Sequence, residues 1–183
     1  MPEIIKVYRE NSVKLRFIGK KYDNADRLNG SFSVKEKWNE WFKHSWFDIL
    51  ENITNKSRDS LQENKNTYIG LLRNKPKEPF QYWIGIFAPD NTEIPDGFEC
   101  IDFPKSEIAV CRVCGEKTEI YLSEGLELFD FCNKRLKEKE INHAHDKDNV
   151  CWVIERYNSN FFMKNDDNEN IIMEVGFFTD FDY

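Results

Sequence analysis

The sequence predicts an α+β domain of 183 residues, built from two similar units that each contain a strand, a helix and two further strands. Two amphipathic helical segments alternate with short runs rich in Val, Ile, Tyr, Phe and Trp, and such runs are typical of strands. This order occurs over roughly residues 13–88 and again over roughly 98–181, without visible sequence identity between the halves. We therefore expect a single domain over residues 1–183, in which an antiparallel sheet carries two helices and a ligand cavity forms where the halves meet.

The first half is predicted to begin with the strand VKLRFIGKKY, residues 13–22, followed by a helix over residues 33–53. Ser33 and Glu36 fit a capping box, in which each side chain binds a backbone N–H at the helix start. The residues at helical spacing on its apolar face are Val34, Trp38, Trp41, Phe42, Ser45 and Ile49. After a polar loop, TYIGLLRN and EPFQYWIGIFAP predict two strands.

The second half is predicted to begin with a long strand in FECIDFPKSEIAVCRVCG, interrupted at Pro104 because proline cannot donate a ladder hydrogen bond. A helix follows, with Ser123 as its N-cap and with Glu124 and Glu127 in its first turn, where carboxylates are favourable. Its inward positions are Leu126, Phe129 and Leu136, and its cationic end contains Lys134, Arg135, Lys137 and Lys139. VCWVIERYN and NIIMEVGFF predict the last two strands.

Charge and hydropathy disfavour several functional classes. The formal net charge is −7 and the pI is about 5.1, so an acidic surface disfavours nucleic-acid binding by this chain. The start of the sequence lacks the basic, apolar and cleavage regions of a signal peptide, and no run reaches the roughly 20 apolar residues of a membrane span. We therefore expect a cytoplasmic protein that binds neither nucleic acid nor membrane directly.

The cysteines and histidines do not predict a metal site. Five cysteines form an odd set, which in a cytosolic protein is more often reduced than disulfide-bonded. CRVCG, residues 111–115, resembles half of a zinc site, but Cys132 stands alone in a predicted helix and no second ligand pair has the usual spacing. His143 and His145 lie among Asp and Lys and are predicted to face solvent. We therefore expect no metal and no other cofactor.

A carboxylate, Glu174, interrupts the apolar last strand. Alternation along a strand places Glu174 on the same face as Ile172 and Phe178. Because apolar residues dominate both faces, the carboxylate must reach water, find a partner such as a lysine, or line a cavity. Glycines within strands allow another group to approach closely, so Gly176 and Gly85 favour a cavity.

Trp83 is the preferred candidate for a ring that stacks on a ligand. By alternation it shares a strand face with Gly85 and Phe87, whereas Tyr82 points the other way and is predicted to pack in the core. Ordinary core packing of Trp83 is the alternative, since large aromatic side chains fill cores as readily as they line ligand sites.

Glu155 is the second candidate acid, and it shares a strand face with Tyr157. One interpretation is a structural ion pair between Glu155 and either Arg156 or Arg112. The other is that Glu155 faces the same cavity as Glu174. Two close carboxylates would raise one pKa, so that one acid could donate a proton while the other activated water.

Four segments together resemble the GyrI-like, or AraC-type (SOUL-like), effector-binding domains of bacteria. YWIGIFAPDNTEIPDGFECIDFPKSEIAVCRVCG is similar to the middle of these domains, and RFIGKKY is similar to their start. WVIERYN and IIMEVGFF are similar to their two final strands. The resemblance covers essentially the whole chain. No DNA-binding segment accompanies it, which argues against direct gene regulation, and FFTDF stands where the family usually has a proline.

The resemblance implies a central aromatic pocket in which an acid from the last strand meets cationic or aromatic amphipathic compounds. Glu174 would then supply charge and Trp83 a stacking surface, and Tyr157 and Glu155 would add further ligand contacts. Three hypotheses follow. The first is small-molecule binding for sensing or sequestration, and the second is a hydrolase that detoxifies cyclopropane-type compounds with Glu155 and Glu174 as catalytic residues. The third is a gyrase-inhibitor-like interaction protein, whose partner would be a regulator or gyrase.

Overall fold

The computed structural model describes residues 2–23, 34–55, 67–116, 120, 126–158 and 170–183, which contain eight strands and three helices. The strands are β1 (Glu3–Ser12), β2 (Leu15–Tyr22), β3 (Thr67–Asn74), β4 (Gln81–Pro89), β5 (Glu99–Phe103), β6 (Lys105–Glu116), β7 (Cys151–Asn158) and β8 (Asn170–Asp182). The helices are α1 (Val34–Lys43), α2 (Trp46–Asn55) and α3 (Leu126–Glu138). The predicted α+β class is confirmed.

The eight described strands form one sheet in the order β1-β6-β8-β7-β3-β4-β2-β5. Every neighbouring pair is antiparallel, as predicted. The two strands at the centre of this order are β7, from the second predicted half, and β3, from the first. The internal symmetry of the two halves and the central cavity stay predictions.

The sheet curls, because a very short connection joins strands that lie far apart in its order. Pro104 alone connects β5, at one edge, to β6, the second strand from the other edge. In a flat sheet these strands would be about 29 Å apart, at roughly 4.8 Å per strand, and one residue cannot span that distance. Ring contacts across the curl agree, since Phe103 of β5 stacks on Phe178 of β8 with centroids 5.0 Å apart. Pro104 therefore lies between two strands, where the lack of a backbone N–H removes no hydrogen bond from the sheet.

Strand alternation gives the sheet two apolar faces. On one, which we call the helix face, Trp38, Trp41 and Leu136 of the helices pack against strand residues in one core cluster. On the other, the inner face inside the curl, residues such as Phe17 and Trp152 form a second cluster from strand and loop residues. Each large apolar side chain that is fully buried in this way contributes about 1.5–3 kcal/mol to folding.

The predicted single helix over residues 33–53 is wrong, because the chain breaks between α1 and α2. Ser45 adopts a φ of 51°, outside the helical range, and this turns the second helix relative to the first. Phe47 is consequently buried, whereas Phe42 and Ile49, both predicted to face inward, are 39% and 42% exposed.

The remaining elements agree with the sequence in part. In α3, Leu136 is fully buried and Phe129 packs against the helix-face core, as predicted. The predicted caps Ser33 and Ser123 lie outside the described residues. β1 was not predicted, and it adds an edge strand beside β6. Within the described ranges, no helix is long and apolar enough to cross a membrane.

Candidate functional site

Among the described acidic residues, Glu155 on β7 is the one that is fully buried, with 5% of its surface exposed. It lies on the helix face, where its Oε2 accepts hydrogen bonds from the hydroxyls of Tyr82, at 2.6 Å, and Tyr157, at 3.1 Å. The indole of Trp38 on α1 donates to the Tyr82 oxygen at 3.1 Å. We call these four residues and Gly70, which lies beside them on β3, the Glu155 site.

Strand register and one glycine bring the Glu155 site together. β3 lies between β7 and β4, and its Gly70 is opposite Glu155 on one side and Ile84 on the other. A Cβ atom at residue 70 would lie 2.3 Å from the Tyr82 oxygen and 2.6 Å from Glu155 Oε2. Because only glycine leaves this space free, Gly70 allows the phenol and the acid to meet over the centre of the sheet.

Aromatic rings from helix and strand surround the acid. The Tyr157 ring makes an edge contact with Trp38, with centroids 4.9 Å apart. Trp38 in turn stacks on Phe47 at 5.8 Å, and Phe47 stacks on Tyr68 at 3.8 Å. The faces of aromatic rings attract cations. Glu155 therefore lies beside several groups that favour positive charge.

Burial governs the charge state of the Glu155 site. It raises the pKa of the Glu155 carboxyl above its ordinary value, and the hydrogen bonds from Tyr82 and Tyr157 oppose this rise only in part. Burial, followed by the nearby carboxylate, also raises the pKa of Tyr82, so this phenol remains a donor. Among the residues that the structure describes, no lysine or arginine forms an ion pair with Glu155. A positive charge brought to this site would therefore be stabilised.

Glu174, on β8, lies on the inner face among cationic side chains. Arg112 donates to its Oε1 from Nε at 2.9 Å and from Nη2 at 2.6 Å. The Tyr8 hydroxyl donates to the same oxygen at 2.9 Å. Arg156 Nη1 lies 3.5 Å from Oε2, and its Nη2 binds Glu10. We call these five residues the Glu174 cluster.

The Glu174 cluster has the electrostatics of a structural ion pair. Burial raises the pKa of Glu174, but the hydrogen bonds from Arg112 and Tyr8 and the charge of Arg156 outweigh it and hold that pKa below its ordinary value. Burial and the hydrogen bond to Glu174 raise the pKa of Tyr8 to about 12. Of the alternatives open for Glu174, the structure shows the one with cationic partners, and a role of this residue in ligand binding stays a prediction.

The four residues predicted to bind a ligand do not meet in one place. Glu155 and Tyr157 lie on the helix face. Glu174 and Trp83 lie on the inner face. Arg156 is opposite Glu174 in the register of β7 and β8, and its neighbour Glu155 therefore points to the other face. For the same reason the predicted pair of adjacent carboxylates is not formed, and neither is an ion pair between Glu155 and Arg156.

Trp83 and the strand glycines serve core packing. Trp83 is 6% exposed and makes an edge contact with Phe17, with centroids 6.3 Å apart. An added Cβ at Gly85 would lie 2.1 Å from the carbonyl oxygen of Ile18, so the neighbouring backbone already occupies this space. At Gly176 it would lie 3.1 Å from a neighbouring side chain. The interpretation of these two glycines as signs of a cavity is wrong, because the residues around them fill the space.

Sequence reasoning missed Gly70, Tyr82 and Trp38 as members of the site. Tyr82 lies in the core, as predicted, with 3% of its surface exposed, yet it makes the shorter of the two phenol hydrogen bonds to Glu155. Two signals were available in the sequence. Glu155 and Tyr157 are two residues apart and must share a face, and Gly70 interrupts the apolar strand TYIGLLRN, which marks a close approach.

The metal-binding alternative finds no geometric support in the described residues. There, no group of three or more His, Cys, Asp and Glu residues could hold a metal ion. The five thiols are free. His143, predicted to face solvent, instead packs on Phe177 with centroids 4.5 Å apart, because the chain after α3 folds back over the end of β8. His145 is exposed, as predicted.

Solved structures that are similar in fold include a protein from Staphylococcus aureus and SAV2435. A protein from Staphylococcus aureus MU50, named provisionally as a bacterial transcription regulation protein, has a TM-score of 0.57 at 14% identity and covers 94% of this chain and 97% of its own. SAV2435, solved with bound tetraphenylphosphonium, has a TM-score of 0.63 at 14% identity and covers 96% of this chain and 94% of its own. No family model and no curated protein matches the sequence. At this identity the similarity establishes the fold, and membership of the GyrI-like family stays a prediction.

Proposed function

We propose that this domain binds lipophilic aromatic cations at the Glu155 site, for sensing or sequestration. The observation that carries the proposal is Glu155 itself, a buried carboxylate whose described partners are two phenols and no cation. Removing a carboxylate from water is unfavourable unless a positive charge compensates for the loss of hydration. An organic cation at this site would provide that compensation, and a neutral compound of the same shape would not.

The rings beside the acid suit the same class of ligand. Trp38 and Tyr157 already lie in edge contact next to Glu155, and Phe47 extends the ring surface. Each well-placed ring contributes about 0.5–2 kcal/mol to the binding of a cation, and most where water is excluded. A flat or propeller-shaped aromatic cation can contact several of these rings at once, whereas a small ammonium ion cannot.

Access to Glu155 requires a movement of the rings above it. Trp38 is fully buried and its indole is bonded to the Tyr82 oxygen, so it covers the acid from the side of α1. We infer that Trp38 leaves this position when a ligand binds. The ligand then replaces the contact between Trp38 and the Tyr157 ring.

Two further observations support the proposal. SAV2435, whose fold matches with a TM-score of 0.63, was solved with tetraphenylphosphonium, an aromatic cation. If β1 is exchanged with β5, β2 with β6, β3 with β7 and β4 with β8, the result is the same strand order read from the opposite edge of the sheet. This order favours two related halves that meet at β3 and β7, and Glu155 lies on β7. The resemblance to GyrI-like effector-binding domains implies a ligand pocket at that junction.

Calorimetric titration with tetraphenylphosphonium, and with tetraphenylborate as an anion of the same shape, tests the proposal. The wild type is expected to bind the cation and not the anion. Glu155→Gln keeps the size of the side chain and removes its charge, so it should weaken cation binding by about tenfold or more. Tyr157→Phe keeps the ring and should weaken binding only a few-fold.

Glu174→Gln is the matched control, because it makes the same chemical change on the inner face. Its affinity for tetraphenylphosphonium should equal that of the wild type. Equal binding of cation and anion, or unchanged affinity in Glu155→Gln, would contradict the proposal. A loss confined to Glu174→Gln would place the ligand on the inner face instead, near Trp83.

Neither alternative hypothesis has a specific observation in its favour. Hydrolysis by paired acids needs Glu155 and Glu174 in one cavity, whereas the two residues lie on opposite faces of the sheet. An interaction protein of the gyrase-inhibitor kind has support only from the net charge of −7, which many proteins share. Both stay predictions from the sequence.

A further inference from the structure

A concave site lies at the mouth of the curled sheet, on the face opposite Glu155. It is a cleft of about 270 Å³ between the ends of β3, β5 and β8 and the start of β7. We call it the mouth cleft and define it by six of its lining residues, Arg73, Lys75, Phe103, Asp146, Trp152 and Tyr183. Mouths of curled and closed sheets are favoured places for ligands.

The floor of the mouth cleft is an indole held in a fixed orientation. Trp152 donates from Nε1 to Asp146 Oδ2 at 2.8 Å and meets the Phe103 ring edge-on, with centroids 5.4 Å apart. The guanidinium carbon of Arg73 lies 6.0 Å from the centroid of the Trp152 ring. Only 5% of Trp152 is exposed, so a flat ligand would contact the exposed part of a ring that is fixed before binding and therefore loses little conformational entropy.

The loop that forms one wall is also fixed. Asp146 Oδ1 accepts hydrogen bonds from the backbone N–H groups of Asp148 and Val150, both at 2.9 Å. The backbone N–H of Lys147 donates to the Tyr183 hydroxyl oxygen at 2.8 Å. The loop before β7 and the end of β8 are therefore tied together across the cleft.

Three carboxylates line the cleft, and two of them, Asp102 and Asp146, already have hydrogen-bond donors, whereas Asp148 is exposed on the loop. Asp146 accepts from Trp152 as well as from two backbone N–H groups. Asp102, also in the lining, accepts two hydrogen bonds from the Arg16 guanidinium, at 2.7 and 2.9 Å. These acids would gain little from a cationic ligand, because their oxygens are largely occupied.

The cations in the cleft, in contrast, have donor capacity left. Arg73 and Lys75 share one carboxylate, Glu78, at 2.8 and 2.7 Å. Two positive charges thus share one carboxylate, and Lys147 is a third cation in the lining. In addition, Nη1 of Arg73 is buried and has no acceptor among the described residues. Among the buried groups at this edge, the unused hydrogen-bonding capacity therefore belongs to a donor.

We propose that the mouth cleft binds a small aromatic carboxylate, with its rings on Trp152 and its acid group toward Arg73 and Lys75. Guanidinium groups recognise carboxylates with strong, directional hydrogen bonds, and the indole supplies the apolar contact. The volume suits one or two fused rings. The mouth cleft thus prefers the opposite charge to the Glu155 site, and its proposal does not depend on cation binding there.

Titration of the full chain with 2-naphthoate, followed by calorimetry and by ligand-observed NMR, tests the proposal. 2-Naphthylmethanol is the neutral probe of similar shape. Wild type is expected to bind 2-naphthoate at least tenfold more tightly than 2-naphthylmethanol. Lys75→Met should weaken 2-naphthoate binding several-fold, and Arg73→Lys should weaken it more, because lysine cannot replace the two-pronged contact.

Two control variants locate the binding. Lys134→Met removes a positive charge from α3, away from the mouth cleft, and Glu155→Gln alters the other site, so both should bind 2-naphthoate as the wild type does. Lys75 is on a turn and 30% exposed, so Lys75→Met should fold even if Arg73→Lys does not. Equal affinities for 2-naphthoate and 2-naphthylmethanol, or unchanged affinity in Lys75→Met, would overturn the proposal. So would a loss of 2-naphthoate binding in Glu155→Gln.

Discussion

Glu155 and Glu174 lie on neighbouring strands of one sheet, yet their surroundings are opposite in character. Arg156 follows Glu155 on β7 and is opposite Glu174 on β8. Because one step along a strand changes the face, Glu155 meets two phenols on the helix face and Glu174 meets guanidinium groups on the inner face. The alternation of side chains between the two faces of a strand, more than closeness in sequence, therefore decides which charges a side chain encounters.

The two environments suit different purposes. The Glu174 cluster combines acids and arginines and lowers the pKa of its carboxylate, as a stabilising ion-pair network does. The Glu155 site raises the pKa of its carboxylate and leaves it without a described cation. A perturbed acid among rings is a candidate functional group, whereas a paired acid is more often structural.

The largest expected effect comes from adding one methyl group at the centre of the helix face. In Gly70→Ala the new Cβ would lie 2.3 Å from the Tyr82 oxygen and 2.6 Å from Glu155 Oε2, and buried neighbours leave little room to relax. We expect a loss of about 3 kcal/mol in the free energy of unfolding, measured in urea. Binding of tetraphenylphosphonium should weaken as well, because the phenol and acid must separate.

Gly176→Ala is the matched substitution on the inner face. Its Cβ would lie 3.1 Å from Ile108 and 3.5 Å from Ile154, so small shifts can accommodate it. A loss of about 1 kcal/mol or less is expected, with unchanged cation binding. If Gly176→Ala lowered the free energy of unfolding as much as Gly70→Ala does, the Glu155 site would be packed no more closely than the inner face.

A smaller effect is expected from removing one charge on each face with an isosteric amide. Glu174→Gln leaves Arg112 and Arg156 with less compensation and should cost about 2 kcal/mol at neutral pH. Glu155→Gln should change stability by about 1 kcal/mol or less, because it removes an unfavourable buried charge while its carbonyl still accepts from Tyr82. Urea unfolding of both variants at neutral pH measures the two changes in the free energy of unfolding. A larger loss in Glu155→Gln than in Glu174→Gln would mean that Glu155 is the acid that stabilises the fold.

The sequence predicts the side on which each candidate lies, but not its partners. Alternation alone groups Glu155 with Tyr157, and Glu174 with Ile172 and Phe178, as in the structure. The partners of Glu174 come from β1 and β6, far away in sequence, and strand order cannot be read from propensity or periodicity. The acid that the sequence favours as a ligand contact is for that reason the one that the fold pairs with arginines.

Two local features also exceed what periodicity can predict. A continuous helical pattern through residues 33–53 gives no warning that Ser45 adopts a positive φ, because the apolar spacing continues across the break. β1 is an edge strand with mixed polar and apolar residues, and its weak alternation does not separate it from a loop. Because β1 was not predicted, its residues Tyr8 and Glu10, which complete the Glu174 cluster, were not predicted as members of that cluster.

The smallest expected effect concerns the pH dependence of stability, which should have opposite signs for Glu155 and Glu174. Burial raises the pKa of Glu155, so the folded protein holds this proton more tightly than the unfolded chain does. Glu155 therefore lowers stability as pH rises from the ordinary glutamate pKa of about 4.3 through the raised value. The pKa of Glu174 is lowered, so its stabilisation is complete above the ordinary value and is lost as pH falls through the lowered one.

Thermal unfolding from about pH 3 to about pH 8 separates the two contributions, since each unit of pKa shift changes the free energy of unfolding by about 1.4 kcal/mol. Relative to the wild type, Glu155→Gln should reduce the decline in stability on the alkaline side of the ordinary glutamate pKa. Glu174→Gln should reduce the decline on the acid side. If both substitutions altered the same side of the profile, the two carboxylates would be in similar environments. Charge compensation on the inner face and its absence on the helix face could then no longer explain why only Glu155 is suited to a cation.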